Sequence, residues 1–241
     1  MNDLTAFGIQ IGILLPLVVV AGLVTRSVRW IYLAAALAYM FVDFCLTDYV
    51  PEIPWLDFKA LHWNWVGKGA SVLFAVAVLV RWPDLKRDSG VVVRQNKGSI
   101  GISLACVALL AAAGIYFGFI NHREPFNLET LLFQLTMPSL SEELVYRGIM
   151  YCLLNRALGI FCQVRGTPIG WAVPIIILWF GLGHATYWDG HAVQVDWLSF
   201  AIAGSIGAVH MFVRIISGSL IFPIIGHSAF NFAVSFVKMV R

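Results

Sequence analysis

Charge is what this chain has least of. Asp, Glu, Lys and Arg together make up 12% of its 241 residues, against 60% hydrophobic residues, and the mean hydropathy is +0.83, whereas soluble domains carry about 25% charged residues. That shortage excludes an ordinary soluble domain. A formal net charge of only +3 also leaves no basic surface of the kind a nucleic acid requires, so no nucleic-acid partner is expected. The four cysteines, Cys45, Cys106, Cys152 and Cys162, form no C-x-x-C pair and lie mostly in apolar context, which argues against a disulfide framework or a zinc knuckle and for ordinary packing. Met1-Asn2-Asp3 lacks the basic region of a signal peptide, so the first apolar run is expected to stay as a helix. There is no H-E-x-x-H or H-x-x-E-H run, the usual signature of a zinc protease helix. Nor is there an internal repeat of the kind inverted-repeat transporters show.

Long apolar runs are what the chain has instead. Taking 17 to 25 such residues as one crossing, the sequence predicts helices near 6–24, 30–47, 67–81, 99–120, 129–157, 168–188, 197–215 and 219–238. The expected fold is all-α: a polytopic membrane bundle of about eight helices enclosing a polar cavity, one integral membrane domain over 1–241. Trp30, Trp82, Trp171, Trp188 and Trp197 fall near run ends, where an interfacial aromatic belt belongs. With the N-terminus outside, the inner loops hold Arg26, Arg29, Arg81, Lys86, Arg87, Arg94, Lys97, Arg156, Arg165 and Arg214, and the outer segments hold Lys59, Lys68, Arg123, Lys238 and Arg241. The positive-inside rule then favours both termini outside, and the expected location is the cell membrane, crossed several times. Residues 82–98 read as a loop and 48–66 as a stretch with a short interfacial piece. Pro138 should kink the fifth helix by removing a backbone hydrogen bond.

Against this background the segment Ser141-Glu142-Glu143-Leu144-Val145-Tyr146-Arg147-Gly148 stands out. A charged group at membrane depth costs about 2.5 to 3.5 kcal/mol even on lenient insertion scales, so three together mark a functional site. Glu143 and Arg147 are four apart and share a helix face, the spacing of a structural ion pair. Glu142 lies about 100° around the helix, toward Tyr146, with no local cation, and desolvation suits it to act as a general base. Two further helices carry polar residues at comparable depth: Phe180 and His184 are four apart, as are His227 and Asn231. At 1.5 Å rise per residue, Glu142 and His184 lie about 20 Å from the proposed inner ends and His227 to Asn231 about 12 to 18 Å. Gly181 and Gly183 would allow a close helix approach beside His184. Asp43, His210 and Arg214 read as snorkelling or interhelical contacts.

Glu-Glu-x-x-x-Arg at 142–147, Phe-x-x-x-His at 180–184 and His-x-x-x-Asn at 227–231 together resemble the CPBP family of glutamic intramembrane proteases. That group comprises CAAX proteases and bacteriocin-processing enzymes, is also called Abi, and includes the type II CAAX prenyl endopeptidases. The motifs keep the family order and cover roughly 129–238; residues 1–128 carry none, which divides the chain into N-terminal helices and a motif-bearing core over 129–241. Tyr146 replaces a more usual phenylalanine. The resemblance implies an eight-helix bundle with a conical cavity, in which Glu142 and His184 activate a water for attack on a peptide carbonyl. His227 and Asn231 would stabilise the oxyanion, Glu143 and Arg147 would hold the helix geometry, and Phe180 would shape the pocket. It implies a membrane-associated peptide or protein substrate, prenylated in the CAAX branch, and no cofactor, with zinc the alternative that two carboxylates and two histidines leave open. The competing functional reading is a non-catalytic immunity or scaffold protein of the same family; a proton-relay transporter is the weaker third.

Overall fold

The computed structural model describes residues 2–53, 55–56 and 61–241; the expected interfacial piece within 48–66 and Lys59 fall partly or wholly outside them. The first two helices follow directly from composition. α1 (Asn2–Thr25) and α2 (Trp30–Asp48) are almost wholly apolar and are joined by a short turn at Arg26, whose φ is +51°. A 3₁₀ turn at Val50–Glu52 follows α2, and α3 (Trp65–Arg81) runs back beside it. The expected loop at 82–98 begins with a short helix, α4 (Pro83–Asp88), that proline opens at its first position. α5 is Ile100–Ile120.

The segment that holds the acidic pair is the least regular helix in the chain. α6 (Leu128–Glu142) passes without a break into a π-helical stretch at Glu143–Met150 and then into α7 (Tyr151–Leu158). The helix predicted over 129–157 therefore exists. Pro138 stands inside α6, but the marked departure from α geometry comes five residues later, at the charged residues. π stretches close their hydrogen bonds one residue further along the chain than α-helices do, and they recur at functional sites. Almost every residue of the π stretch and α7 is buried, and Val145, Ile149, Tyr151, Leu154 and Leu158 pack in one apolar core with residues of α1, α2 and α8.

The helix predicted over 168–188 is shorter than expected. Only Ala172–Ala185 (α8) is helical; Thr167–Gly170 is strand β2, paired antiparallel with β1 (Ile160–Val164), and Thr186–Trp188 is β3, paired with β4 (Val193–Val195). Hydrophobicity alone does not separate these states, and two local features do. Arg165 and Gly166 both take positive φ, +51° and +82°, the requirement of a tight hairpin turn. Thr186-Tyr187-Trp188 combines a β-branched and two aromatic residues ahead of Asp189-Gly190, a strand-and-turn pattern.

α9 (Trp197–Ser217) and α10 (Ile221–Val240) complete the bundle. α10 lies so close to α5 that a Cβ on Gly114 would stand 2.5 Å from the Phe230 carbonyl oxygen. Small residues at membrane-helix contacts permit that approach, and it fixes the helix that carries His227 and Asn231. Among the described residues five helices are long and apolar enough to cross a membrane: Leu4–Thr25, Trp30–Glu52, Ile100–Ile120, Trp197–Ser217 and Ile221–Val240. α3 at 17 residues, the interrupted α6–α7 path and the 14-residue α8 make up the remaining predicted spans. The protein is an all-α integral membrane bundle with two small hairpins.

Candidate active site

Four helices deliver the polar centre. The α6–π junction supplies Glu142 and Glu143, α8 supplies His184, α9 supplies His210 and α10 supplies His227. The two carboxylates have different contacts. Glu143 and Arg147 are fully buried and paired, with Arg147 Nη1 donating to Glu143 Oε1 at 3.1 Å. The guanidinium is held on two further sides. Nη2 donates to the Gly207 carbonyl at 3.1 Å, and the cation sits 4.2 Å from the Phe180 ring centroid, a contact worth up to about 2 kcal/mol when desolvated. Phe180 therefore braces Arg147 as well as lining the space beside His184, and Tyr146 meets the Phe180 ring edge-on at 5.4 Å.

Glu143 has a second partner. The same Oε1 accepts from His227 Nδ1 at 2.9 Å, so this carboxylate orients an imidazole as well as pairing an arginine. His210, fully buried on α9, lies parallel to His227 with ring centroids 5.0 Å apart and its Nδ1 is 3.4 Å from Glu143 Oε1. Its interhelical role was legible in the sequence; its place behind His227 was not. Asp43 is likewise interhelical, accepting from Ser71 of α3 at 2.6 Å, and Arg214 donates to the Arg147 and Asp88 carbonyls.

Glu142 is the more accessible acid, with its side chain 14% exposed. Its Oε2 is buried and accepts no hydrogen bond from the protein, and stands 3.7 Å from His184 Nε2 and 3.9 Å from His227 Nε2. Those gaps exceed direct hydrogen bonds and suit a water between the three groups. His184 Nδ1 is 2.8 Å from the Phe180 carbonyl oxygen; a carbonyl only accepts, so Nδ1 carries the proton and Nε2 presents a lone pair toward Glu142. Glu142 also has a cation that the sequence reading missed. Lys68, counted there among the outer loop charges, donates from Nζ to Glu142 Oε1 at 2.8 Å. The signal available was a lone lysine opening the apolar run after Asn64, with no place in any motif.

Two cavities meet at His184. One, of about 310 Å³, is lined by Asp43, Asp48, Lys68, Glu142, Tyr146 and His184 among others and is bordered by Thr186, Tyr187 and Trp188 of β3. The other, of about 270 Å³, is bounded by Phe180, Ile202, Ile206 and Phe230 and contains His184, His227 and Asn231. Gly181 admits α9 here, since a Cβ on it would meet Phe200 at 3.0 Å; Gly183 faces only the Tyr146 hydroxyl, at 3.5 Å. Among the described residues, the single group of three or more potential metal ligands is Glu143, His210 and His227, whose ligand atoms lie within 4.8 Å of one another. It differs from the Glu142–His184 pair.

The family model for Rce1-like type II CAAX prenyl endopeptidases matches residues 124–233. This part of the chain is similar to the CAAX proteases. The matched segment is a little under half of the chain and contains both glutamates, all three buried or cavity-lining histidines and Asn231. No curated protein and no solved structure matches the chain. The CAAX protease segment thus runs from just before α6 into α10, while Lys68, Asp43 and the apolar wall of α1 come from outside it. The family is one of membrane endopeptidases, in agreement with the apolar bundle around the polar centre.

Proposed function

We propose that the protein is an intramembrane endopeptidase of the CAAX protease type, in which Glu142 acts as general base on a water held between Glu142 Oε2 and His184 Nε2. The observation that carries this reading is the buried, unpartnered Oε2 facing two imidazole nitrogens at 3.7 and 3.9 Å. A water there can donate one hydrogen to the carboxylate and the other to the His184 lone pair. Its oxygen then attacks the scissile carbonyl carbon as its proton passes to Glu142. The carbonyl electron pair moves onto oxygen, and His227 Nε2–H and the Asn231 amide meet that charge. For His227 to donate from Nε2 while Nδ1 donates to Glu143, the ring must be protonated, and the Glu143 carboxylate supplies the counter-charge. Collapse of the tetrahedral intermediate breaks the C–N bond, and the proton held on Glu142 goes to the leaving amine. Preset donors in a low-dielectric site need little reorganisation, and this is where such catalysis gains most.

The substrate is a membrane-associated peptide, prenylated on cysteine as the family description implies. Phe180, Glu143, Arg147 and Tyr146 support the geometry without touching the reacting atoms. No metal takes part in this scheme. The test is cleavage of a quenched fluorescent farnesylated CAAX peptide by the purified protein in detergent. Wild type cleaves it, and Glu142→Gln lowers kcat by about 10²- to 10⁴-fold, the range for loss of a general base. Wild-type turnover by Glu142→Gln overturns the mechanism; no cleavage by either protein, with in-cell function retained by Glu142→Gln, favours the non-catalytic alternative.

A further inference from the structure

Lys68 lies outside the family segment, yet its Nζ contacts the proposed base directly. Several independent contacts fix it there. It stands in the first turn of α3, whose N-cap is Asn64: the Asn64 side chain accepts from the Gly67 N–H at 2.8 Å and donates to the Thr47 carbonyl of α2 at 2.7 Å. Gly67 comes so close to α2 that a Cβ on it would stand 2.3 Å from the Thr47 oxygen. On the other side, Trp65 Nε1 donates to Glu129 Oε1 at 3.0 Å and Trp63 Nε1 to Thr130 Oγ1 at 2.8 Å, tying the start of α3 to the start of α6. Those contacts anchor α3 at both sides of the residue before Lys68 and at the helix that ends in Glu142.

We infer that Lys68 is a positioning residue for the proposed reaction: its ammonium holds Glu142 Oε1, which turns Oε2 toward His184 and His227. The inference rests on the reading of Glu142 as the base. Without the ammonium, a glutamate side chain with several rotatable bonds has no contact fixing which oxygen faces the imidazoles, because Oε2 itself has no protein partner. Asp43 and Asp48 line the same cavity. Lys68 thus carries its positive charge into a cavity that also holds these carboxylates.

The experiment compares wild type, Lys68→Met, Lys68→Gln, Lys68→Arg and Glu142→Gln on the farnesylated peptide, with melting temperature in detergent followed for each. Lys68→Met and Lys68→Gln are expected to lower kcat about tenfold or more with KM within about twofold, and Lys68→Arg to recover most of the loss, since misplacing a reacting group by about 1 Å can cost 10²-fold. A role in folding alone would lower the melting temperature and the active fraction without rescue by arginine. Wild-type kcat in Lys68→Met or Lys68→Gln, or no recovery in Lys68→Arg, overturns the inference while an inactive Glu142→Gln leaves the reading of the base intact. If Met lowers the yield of folded protein, Gln, which stays polar without the positive charge, decides on the folded fraction. An active Glu142→Gln overturns both.

Discussion

Glu143 Oε1 is shared by two donors, Arg147 Nη1 at 3.1 Å and His227 Nδ1 at 2.9 Å. One oxygen thereby joins the π stretch to α10. Removing one partner of a buried ion pair leaves an uncompensated charge and destabilises by about 3 to 5 kcal/mol. Arg147→Met is therefore expected to lower the melting temperature sharply. Glu143→Gln should do so as well and should also depress kcat in whatever fraction folds, because the protonated form of His227 loses its counter-charge. Thermal unfolding in detergent beside turnover per folded molecule separates the two effects. Equal turnover per folded molecule in Glu143→Gln and wild type would reduce Glu143 to a purely structural residue.

Asn231 carries the second prediction. It lines the same cavity as His184 and His227, on a helix whose neighbouring residues Phe230 and Ala233 pack against α5. Asn231→Ala is expected to lower kcat by about 10²- to 10³-fold, as loss of an oxyanion donor does elsewhere, with little change in melting temperature because the residue is half-buried beside a cavity. Asn231→Asp, which keeps the shape and replaces the amide donor by a carboxylate, should be at least as inactive. An active Asn231→Asp would remove Asn231 from the oxyanion site.

Much of this site was legible because polar residues are rare in the chain. Where most neighbours are Leu, Ile, Val or Phe, Glu142, Glu143, Arg147, His184, His227 and Asn231 announce themselves, and the four-residue spacing correctly paired Glu143 with Arg147. Spacing along one helix carries no information about a partner on another. Lys68 looked like a loop charge because it sits at a helix start, and its contact with Glu142 depends on how α3 lies against α6. His210 was legible as an interhelical group and not as the ring stacked on His227, for the same reason. The strands β2 and β3 were read as helix because apolar runs of this length do not distinguish the two, and turn residues only punctuate them.

Hairpin β3–β4 borders the cavity, and Asp189 organises its turn. The Asp189 Oδ1 accepts from the backbone N–H groups of Ala192 and His191, each at 2.8 Å, and Oδ2 accepts from Gln194 at 2.8 Å. Those donors, Ala192 first, hold the carboxyl below the ordinary aspartate value of 3.8. A depressed folded-state value stabilises the turn at pH above the unfolded value, and that contribution disappears as pH falls through the folded value. At neutral pH Asp189→Ala should speed amide exchange at His191 and Ala192, whereas wild type should show comparable loosening only well below pH 4. Hydrogen exchange by mass spectrometry across that range, corrected for intrinsic rates, tests this. Unchanged protection in Asp189→Ala would show that strand pairing alone holds the turn.

Zinc can be tested at named residues. Glu143, His210 and His227 bring three ligand atoms within 4.8 Å, and neither ring nitrogen of His210 has a hydrogen-bond partner, so the donor set meets the count of a catalytic zinc site. Against occupancy stands Arg147, whose guanidinium already lies 3.1 Å from the one carboxylate of the set and would repel a divalent cation. The reading of Glu142 as base therefore predicts that prolonged dialysis against EDTA leaves cleavage of the farnesylated peptide unchanged, and that His210→Phe, which keeps a ring stacked on His227, retains activity. Activity lost on chelation, restored by zinc in wild type and unrestored in His210→Phe, would transfer the chemistry to this second cluster. A zinc held there would use Glu143 as a ligand, the carboxylate that the Glu142 scheme needs as counter-charge for His227.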